Sequence, residues 1–212
     1  MATKHKQDSA FEDLLSEIRA CRVCEAHLPL GARPTLRAKP SARVLIVGQA
    51  PGIKVHNTGI PWNDPSGDRL RGWLGVSREE FYDDSRIAII PMGFCYPGKG
   101  KSGDMPPRKE CAELWFERLL AGLPNIRLIL LVGQYAHGWH LKDVKKSTLT
   151  ETVHEWKEYA PRYFPLPHPS PRNIFWFKRH PWFERDVVPE VRKRFHEALK
   201  DGTVRTRSRK KL

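Results

Sequence analysis

Residues 43–68, RVLIVGQAPGIKVHNTGIPWNDPSGD, decide the fold that we expect for this chain. The apolar run VLIV at residues 44–47 is typical of a strand buried in a parallel sheet. Glycine and proline then end the strand, and the polar loop that follows carries Trp62, Asp64 and Asp68. Ligands usually bind at loops that leave the carboxyl ends of parallel strands. This loop is therefore the first candidate for a functional site.

The rest of the chain alternates between strand and helix signals. Apolar runs predict further strands at residues 86–90, 126–132 and 163–166. Helices are predicted at residues 11–20 with a cap at Asp8 or Ser9, from residue 66 with Ser66 as cap, at residues 108–121, around Tyr135 and Trp139, and from Pro189 onward. Residues 25–42 are interpreted as an extended connection. The pattern predicts an α/β protein with a parallel sheet covered on both faces, in which the loops after the first and fourth strands share one edge.

Length and composition favour one folded domain with a basic tail. The chain has 212 residues, of which 40% are apolar, so we expect a domain over residues 1–200 and a disordered tail over residues 201–212. No apolar run approaches the length of a membrane span, and the first residues lack the apolar core of a secretion signal. We therefore expect a cytoplasmic monomer that does not enter a membrane.

The charge balance points to a polyanionic partner. The formal net charge is +13, and a surplus of this size favours nucleic acid. Basic residues occur in the body at 99–109, 142–146 and 172–179 as well as in the tail. A solubilising surface with a basic tail remains the alternative.

The cysteines form two pairs along the chain, Cys21 with Cys24 and Cys95 with Cys111. Disulfides are rare in the cytoplasm, and a C-x-x-C at the end of a helix is a good chelate for one metal centre. Four thiolates suit either an iron-sulfur cluster or structural zinc. Ordinary buried thiols remain the third possibility.

Four motifs follow one another in an order that resembles the uracil-DNA glycosylase superfamily. They are GQAPG at residues 48–52, NTGIPW at 57–62, DPSGD at 64–68 and HPSP at 168–171. The resemblance is closest to the branches called families four and five, which carry an iron-sulfur cluster. It implies a three-layer α/β/α sandwich with a central four-stranded parallel sheet. It also implies that the four cysteines hold a [4Fe-4S] cluster, with structural zinc as the alternative.

The resemblance also implies roles for individual side chains. His168 matches the histidine that donates a hydrogen bond to the base carbonyl as negative charge develops there. Relatives carry an acid within the first motif, but here Gln49 and Ala50 occupy those positions. Asp64 is therefore our choice for the catalytic carboxylate, with Asp68 in reserve.

Trp62 matches the aromatic side chain that stacks on the base. Families four and five also use an asparagine four residues before the third cysteine to read the base edge. This chain has Pro91 at that position. We therefore expect other groups to recognise the base. The candidates are the backbone of Met92 and Gly93, the residues His56 and Asn57, and the backbone amides of Gln49 and Ala50. Gly52 stands where classical relatives have a tyrosine that excludes thymine, so the pocket is expected to accept deaminated bases beyond uracil.

The segment after the HPSP motif combines polar, aromatic and basic residues. In relatives this loop enters the minor groove and fills the gap that the flipped base leaves. The expected DNA-binding residues are Ser170, Arg172, Asn173, Trp176, Lys178 and Arg179, with Lys99, Lys101 and Arg108 as weaker candidates.

The leading functional hypothesis is a monofunctional DNA glycosylase. It would act on uracil or a related deaminated base in single-stranded or double-stranded DNA. The alternative is a non-catalytic or covalently trapping binder of damaged DNA, and an RNA-binding or small-molecule role is the third possibility.

Overall fold

The computed structural model describes the backbone of residues 2–200 and the side chains from Asp8 onward. Its strands are β1 Val44–Val47, β2 Ile87–Ile89, β3 Leu128–Val132 and β4 Tyr163–Leu166. Its helices are α1 Ala2–Arg19, α2 Ile53–Thr58, α3 Pro65–Leu74, α4 Arg78–Phe81, α5 Glu117–Ala121, α6 Gln134–Leu141, α7 Leu149–His154, α8 Ile174–Arg179 and α9 Val188–Leu199. The predicted tail at residues 201–212 lies outside the described residues.

The four strands form one parallel sheet in the order β2-β1-β3-β4. Every residue of the central strands β1 and β3 is buried. Both strands consist of apolar residues alone, as parallel strands covered on both faces require. The predicted strands are confirmed.

Helices cover both faces of the sheet. Alternate side chains of a strand point to opposite faces, and in β1 they enter two separate cores. Leu45 and Val47 pack in the core that α1, α5 and α6 cover, whereas Val44 and Ile46 pack in the core that α3 and α9 cover. The predicted α/β/α sandwich is therefore confirmed. Within residues 2–200, no helix has the length and apolar character needed to cross a membrane.

Two predicted helix starts are wrong. The helix α1 extends upstream of Asp8 and Ser9, so neither of them caps it. The helix α3 is capped by Asp64, whose side chain accepts the N–H of Gly67 at 2.9 Å, and not by Ser66. An aspartate before a proline at the first helical position combines two favourable N-terminal signals.

Short elements account for the remaining differences. The helices α2, α4, α7 and α8 were not predicted, and α8 replaces the loop expected around residues 174–179. Helices of four to six residues show too few turns for a period to be recognised, and tertiary packing stabilises them. The connection over residues 25–42 is also not wholly unpaired, because Arg37 pairs antiparallel with Ile89.

Candidate base-binding pocket

A cavity of about 690 Å³ opens at the carboxyl edge of the sheet. The loops after β1 and β4 line it together, as the parallel topology predicted, and the loop after β2 closes a third side. Cavities of this size hold small organic ligands. This edge therefore brings Trp62, Asp64 and His168 into one pocket.

Trp62 is held in place by close contacts of its backbone and ring. Its φ angle of 58° is a left-handed conformation that residues with side chains rarely adopt. A Cβ atom at Gly48 would lie 2.9 Å from the Trp62 ring, and one at Gly67 would overlap the Trp62 carbonyl. Arg71 donates a hydrogen bond from Nη1 to that carbonyl at 3.3 Å. Because such strained residues cluster at binding sites, this construction favours a functional Trp62.

His168 lies directly against this tryptophan. The ring centroids of Trp62 and His168 are 5.5 Å apart with 28° between the planes. The His168 carbonyl accepts a hydrogen bond from Nδ2 of Asn173 at 2.8 Å, which anchors the turn. Burial lowers the pKa of His168 from 6.5 to about 4, although the negative charge of Asp64 partly opposes this shift. The imidazole is therefore neutral at pH 7 and carries one N–H donor.

The two candidate carboxylates have different surroundings. Asp64 lines the pocket, and its Oδ1 is engaged by the Gly67 N–H at the start of α3. Asp68 instead pairs with Arg71 at 2.6 Å, and its side chain is 74% exposed. Asp68 is absent from the pocket wall, so the geometry supports Asp64 over the reserve candidate.

The first motif contributes one further side chain to the pocket. Gln49 and Ala50 both line it. The Gln49 carboxamide lies beside Gly133 at the end of β3, with its Nε2 2.5 Å from the position that a Cβ there would take. The carboxamide is thus directed along the rim between β1 and β3.

The backbone donors of Met92 and Gly93, from which we expected contacts to the base, are engaged within the fold. The N–H of Met92 donates to the carbonyl of Gly48 at 3.0 Å, and the N–H of Gly93 donates to the carbonyl of Gln49 at 2.8 Å. Both donors are consumed in extending the pairing beyond β1 and β2. Neither residue lines the pocket.

His56 and Asn57 do not reach the pocket either. Both lie in α2, and their backbone carbonyls accept hydrogen bonds from Arg33. The sequence gives no signal for this arrangement, because Arg33 is more than 20 residues away along the chain.

The expected DNA-binding residues divide between the pocket wall and α8. Ser170, Arg172 and Asn173 line the pocket, and the Ser170 hydroxyl accepts the Arg172 N–H at 3.2 Å. In α8, Lys178 and Arg179 are exposed.

Two aromatic side chains of α8 differ in their surroundings. Trp176 packs among aromatic rings that include Phe183, and its indole N–H donates to the Thr150 hydroxyl at 2.9 Å. The side chain that projects into solvent is Phe175, which is 70% exposed.

The four cysteines are free thiols that lie near one another. Burial raises the pKa of Cys95 to about 11 and that of Cys111 to about 12, and each pKa is raised further by the charges of Cys21 and Cys24. This mutual effect places the C-x-x-C pair in the same part of the fold as the other two thiols. As placed, the described residues contain no group of three or more His, Cys, Asp or Glu side chains that could hold a metal ion.

The donor set itself fits a thiolate-bound centre. Its four sulfur ligands are soft, which suits iron-sulfur clusters and zinc. Burial raises the pKa of Cys24, and the neighbouring charge of Arg108 partly opposes this shift. The set joins the segment after α1 to the loop after β2.

Asp104 is a pocket residue that the sequence did not reveal. It lies in the glycine-rich loop after β2 and lines the same cavity as Asp64 and His168. Partial burial raises its pKa, as does the charge of Asp64, whereas Arg172 and Lys99 lower it. No local pattern distinguishes this acid from other loop residues.

These features define an α/β/α protein with a ligand pocket at the carboxyl edge of a parallel sheet. The chain belongs to the Uracil DNA glycosylase superfamily, whose family model matches residues 37–192. The resemblance seen in the sequence motifs is therefore confirmed at the level of the superfamily.

Two individual proteins are similar to this chain. One is a Type-4 uracil-DNA glycosylase of Archaeoglobus fulgidus, with 25% identity over 130 residues, which are 60% of this chain and 61% of that protein. The chain thus spans less than two thirds of the length of this relative. The other is the solution NMR structure of a "putative Uracil DNA glycosylase" from Methanosarcina acetivorans. It has 16% sequence identity and a TM-score of 0.44, and covers 76% of this chain and 98% of its own.

Proposed function

We propose that the protein is a monofunctional DNA glycosylase that flips out uracil or a related deaminated base and hydrolyses its N-glycosidic bond. The observation that carries the proposal is the convergence of a neutral His168, Trp62 and Asp64 in one pocket of a superfamily member. Bond cleavage leaves an anionic base and an oxocarbenium-like sugar, so a hydrogen-bond donor and a carboxylate are both required.

In this mechanism His168 donates from a neutral imidazole. The N–H meets the base carbonyl on which negative charge accumulates, and such a donor contributes about 100-fold to 1,000-fold in rate. A pKa of about 4 keeps the ring neutral throughout the physiological range. The oxygen of Asp64 that does not cap α3 then stabilises the positive charge on the sugar.

Trp62 supports His168 and shapes the base site. A base between the two rings would need about 7 Å, because carbon atoms in contact are about 3.5 Å apart. The centroids are 5.5 Å apart, so the base stacks on pocket-facing parts of Trp62 and not between the rings.

Gln49 is our candidate for reading the base edge. A carboxamide offers one acceptor and two donors, which complement the O4 and N3–H of uracil. Gln49 lies beside Gly133, and Pro91, which also lines the pocket, has no such group. The backbone of Ala50 positions the water or the substrate beside it.

The DNA strand is held by the HPSP turn and by α8. Ser170, Arg172 and Asn173 contact phosphates at the pocket mouth, while Lys178 and Arg179 extend the basic surface. Phe175 takes the role of the apolar wedge, because it is exposed where Trp176 is packed. In this proposal the protein binds DNA as a monomer.

The cysteines Cys21, Cys24, Cys95 and Cys111 would hold a [4Fe-4S] cluster, with structural zinc as the alternative. Such a centre supplies a cross-link between the segment after α1 and the loop after β2, not a reacting group. A purified protein with broad absorption near about 400 nm and bound iron would support the cluster, as thiolate-ligated centres absorb there. A colourless protein with one zinc ion per chain would support zinc.

The test is a panel of labelled oligonucleotides that contain uracil, hypoxanthine or xanthine. Each is incubated with the protein and treated with alkali, which cleaves the strand at an abasic site. We expect cleavage with at least one base, and we expect His168→Ala to lower the excision rate about 100-fold while DNA binding is retained. His154→Ala, which removes an exposed histidine outside the pocket, is the matched control. Full activity of His168→Ala would refute the site assignment.

A second candidate function is a non-catalytic or covalently trapping binder of damaged DNA. It is favoured by the first motif, where Gln49 and Ala50 provide no acid. The same panel distinguishes the two functions. Retention of the lesion without cleavage indicates a binder, and an adduct that survives denaturation indicates a trap.

A further inference from the structure

Asp104 reaches the pocket on a tight hairpin. Lys99 and Asp104 pair antiparallel, the N–H of Gly100 donates to the Gly103 carbonyl at 2.6 Å, and that of Met105 donates to the Gly98 carbonyl at 2.8 Å. These bonds fix the direction in which the hairpin presents its last residues. The backbone of Asp104 is thereby placed at the wall of the cavity.

That position lies against the glycine turn of the first motif. Oδ2 of Asp104 is 3.4 Å from the point that a Cβ of Gly52 would occupy. The turn has no acid of its own, since Gln49 and Ala50 fill the relevant positions. A carboxylate from another loop therefore lies beside this turn, next to Gly52.

One basic residue, Arg172, connects the hairpin to the end of the HPSP turn. Arg172 donates from Nη1 to the carbonyl of Ser102 at 3.3 Å, and the charges of Arg172 and Lys99 both act on Asp104. Even so, the Asp104 carboxylate makes no hydrogen bond or ion pair with any residue in the range 8–200. Its oxygens are available to a ligand or a water molecule.

Asp64 and Asp104 thus differ in what their oxygens already do. Oδ1 of Asp64 accepts the hydrogen bond that caps α3, so this side chain has a structural role and only its second oxygen is free. Asp104 has both oxygens free and faces the same cavity. Two carboxylates with different surroundings in one active site commonly take different roles.

We propose that Asp104 is the carboxylate that activates water in this pocket. The inference rests on the proposed glycosylase function. As the C1′–N bond breaks, its electron pair stays with the base. The water oxygen bonds to C1′, one water proton passes to Asp104 while the other stays on the new hydroxyl group, and the base anion takes up one proton from solvent. The products are the free base and an abasic site, and Asp104 returns its proton to solvent.

The experiment measures single-turnover excision by Asp104→Asn, which removes the charge and keeps the shape. Wild type is assayed first on the uracil, hypoxanthine and xanthine oligonucleotides. Asp143→Asn, which removes an exposed acid outside the pocket, is the matched control. We expect Asp104→Asn to lower the rate about 100-fold, within the range typical of a general base, and Asp143→Asn to leave it unchanged.

Two further measurements separate proton transfer from a structural role. Binding to an oligonucleotide with 2′-fluoro-2′-deoxyuridine, which resists cleavage, should change less than about threefold in Asp104→Asn. The wild-type rate should fall on acidification as Asp104 gains a proton, and Asp104→Asn should weaken this dependence and leave only the part that Asp64 contributes. Asp104→Glu, which keeps the base, should recover part of the rate.

The outcomes distinguish this inference from the function on which it rests. An active wild type with Asp104→Asn as fast as Asp143→Asn would overturn the role of Asp104 alone. Equal losses of rate and probe binding would also overturn it, because Asp104 would then act in binding. A wild type that excises none of the three bases would overturn the glycosylase function and the water-activating role together.

Discussion

The candidate base-binding pocket and the cysteine corner are built in different ways. The cysteine corner is defined as Cys21, Cys24, Cys95 and Cys111. In the pocket, the position of Trp62 is enforced by contacts with Gly48 and Gly67, and His168 packs on its ring. Close packing between residues of the chain defines this geometry.

In the cysteine corner, no comparable close packing among the described residues fixes the positions of the sulfur atoms. Its thiols come close enough to influence one another's pKa, but they form no ligand set as placed. Burial keeps Cys95 and Cys111 protonated, and ionised sulfurs would repel each other. Attraction toward a common centre requires a bound cation.

The comparison shows that close packing can position the side chains of a pocket, whereas four thiolates repel one another and need a cation to bring them together. Perturbing the pocket should therefore affect catalysis first and stability second. Perturbing the cysteine corner should do the reverse.

The largest effect is expected from Gly67→Ala. The added methyl group would overlap the Trp62 carbonyl, so α3 and Trp62 must separate. A displacement of about 1 Å at a catalytic group can reduce the rate about 100-fold. Single-turnover excision on the uracil oligonucleotide, with folding checked by circular dichroism, provides the measurement.

Gly72→Ala is the matched control for this substitution. It lies in the same helix, and a Cβ there meets no atom within 4 Å. Alanine should be tolerated and should add up to about 1 kcal/mol of helix stability. If both variants excised uracil at the wild-type rate, the position of Trp62 would not depend on close packing against Gly67.

A smaller effect, mainly on stability, is expected from Cys24→Ser. The serine cannot replace a thiolate ligand, so bound metal should be lost. A loss of about 2 kcal/mol would lower Tm by about 4–8 °C in a chain of this size. Metal content and thermal unfolding are measured together with excision at low temperature, which should fall less than in Gly67→Ala.

An unchanged Tm together with full metal content in Cys24→Ser would exclude this cysteine as a ligand. Ser16→Ala changes an exposed hydroxyl in α1 and controls for substitution near this corner. It should leave both quantities unaffected.

The smallest effect at neutral pH is a pH dependence of stability from three buried or half-buried histidines. Burial lowers the pKa of His137, His140 and His168 to about 4, against an unfolded value near about 6.5. Between these values the unfolded chain binds more protons, so stability rises with pH. Tm should therefore fall as the pH is lowered from 6.5 toward 4.

His140→Phe should make this dependence shallower, because it removes one of the three groups and keeps the ring packed on Phe116. Scans in the Cys24→Ser background separate the histidines from acid-induced loss of metal. A dependence that vanished in that background would assign the effect to the cysteine corner.

Part of the site could be predicted from local sequence. The apolar runs of β1 and β3 identified the parallel sheet, and the topology rule placed Trp62, Asp64 and His168 at one edge. Short-range patterns are sufficient here because strand burial and loop direction follow from adjacent residues.

Other residues were beyond local reasoning. The donors of Met92 and Gly93 looked available along the chain, but pairing with the β1 loop consumes them. Asp104 resembled any loop acid until the hairpin placed it beside Gly52. Such assignments depend on contacts between segments that are far apart in sequence.

The sequence by itself determined the α/β/α class, the order of the strands along the chain and the motifs that resemble the superfamily. Hydrophobic periodicity and glycine positions are local properties, so they can be recognised without coordinates. Only the tertiary structure decided which polar groups remain free in the pocket. Whether a donor or a carboxylate is free depends on what else packs and hydrogen-bonds there, and long-range chain packing sets those partners.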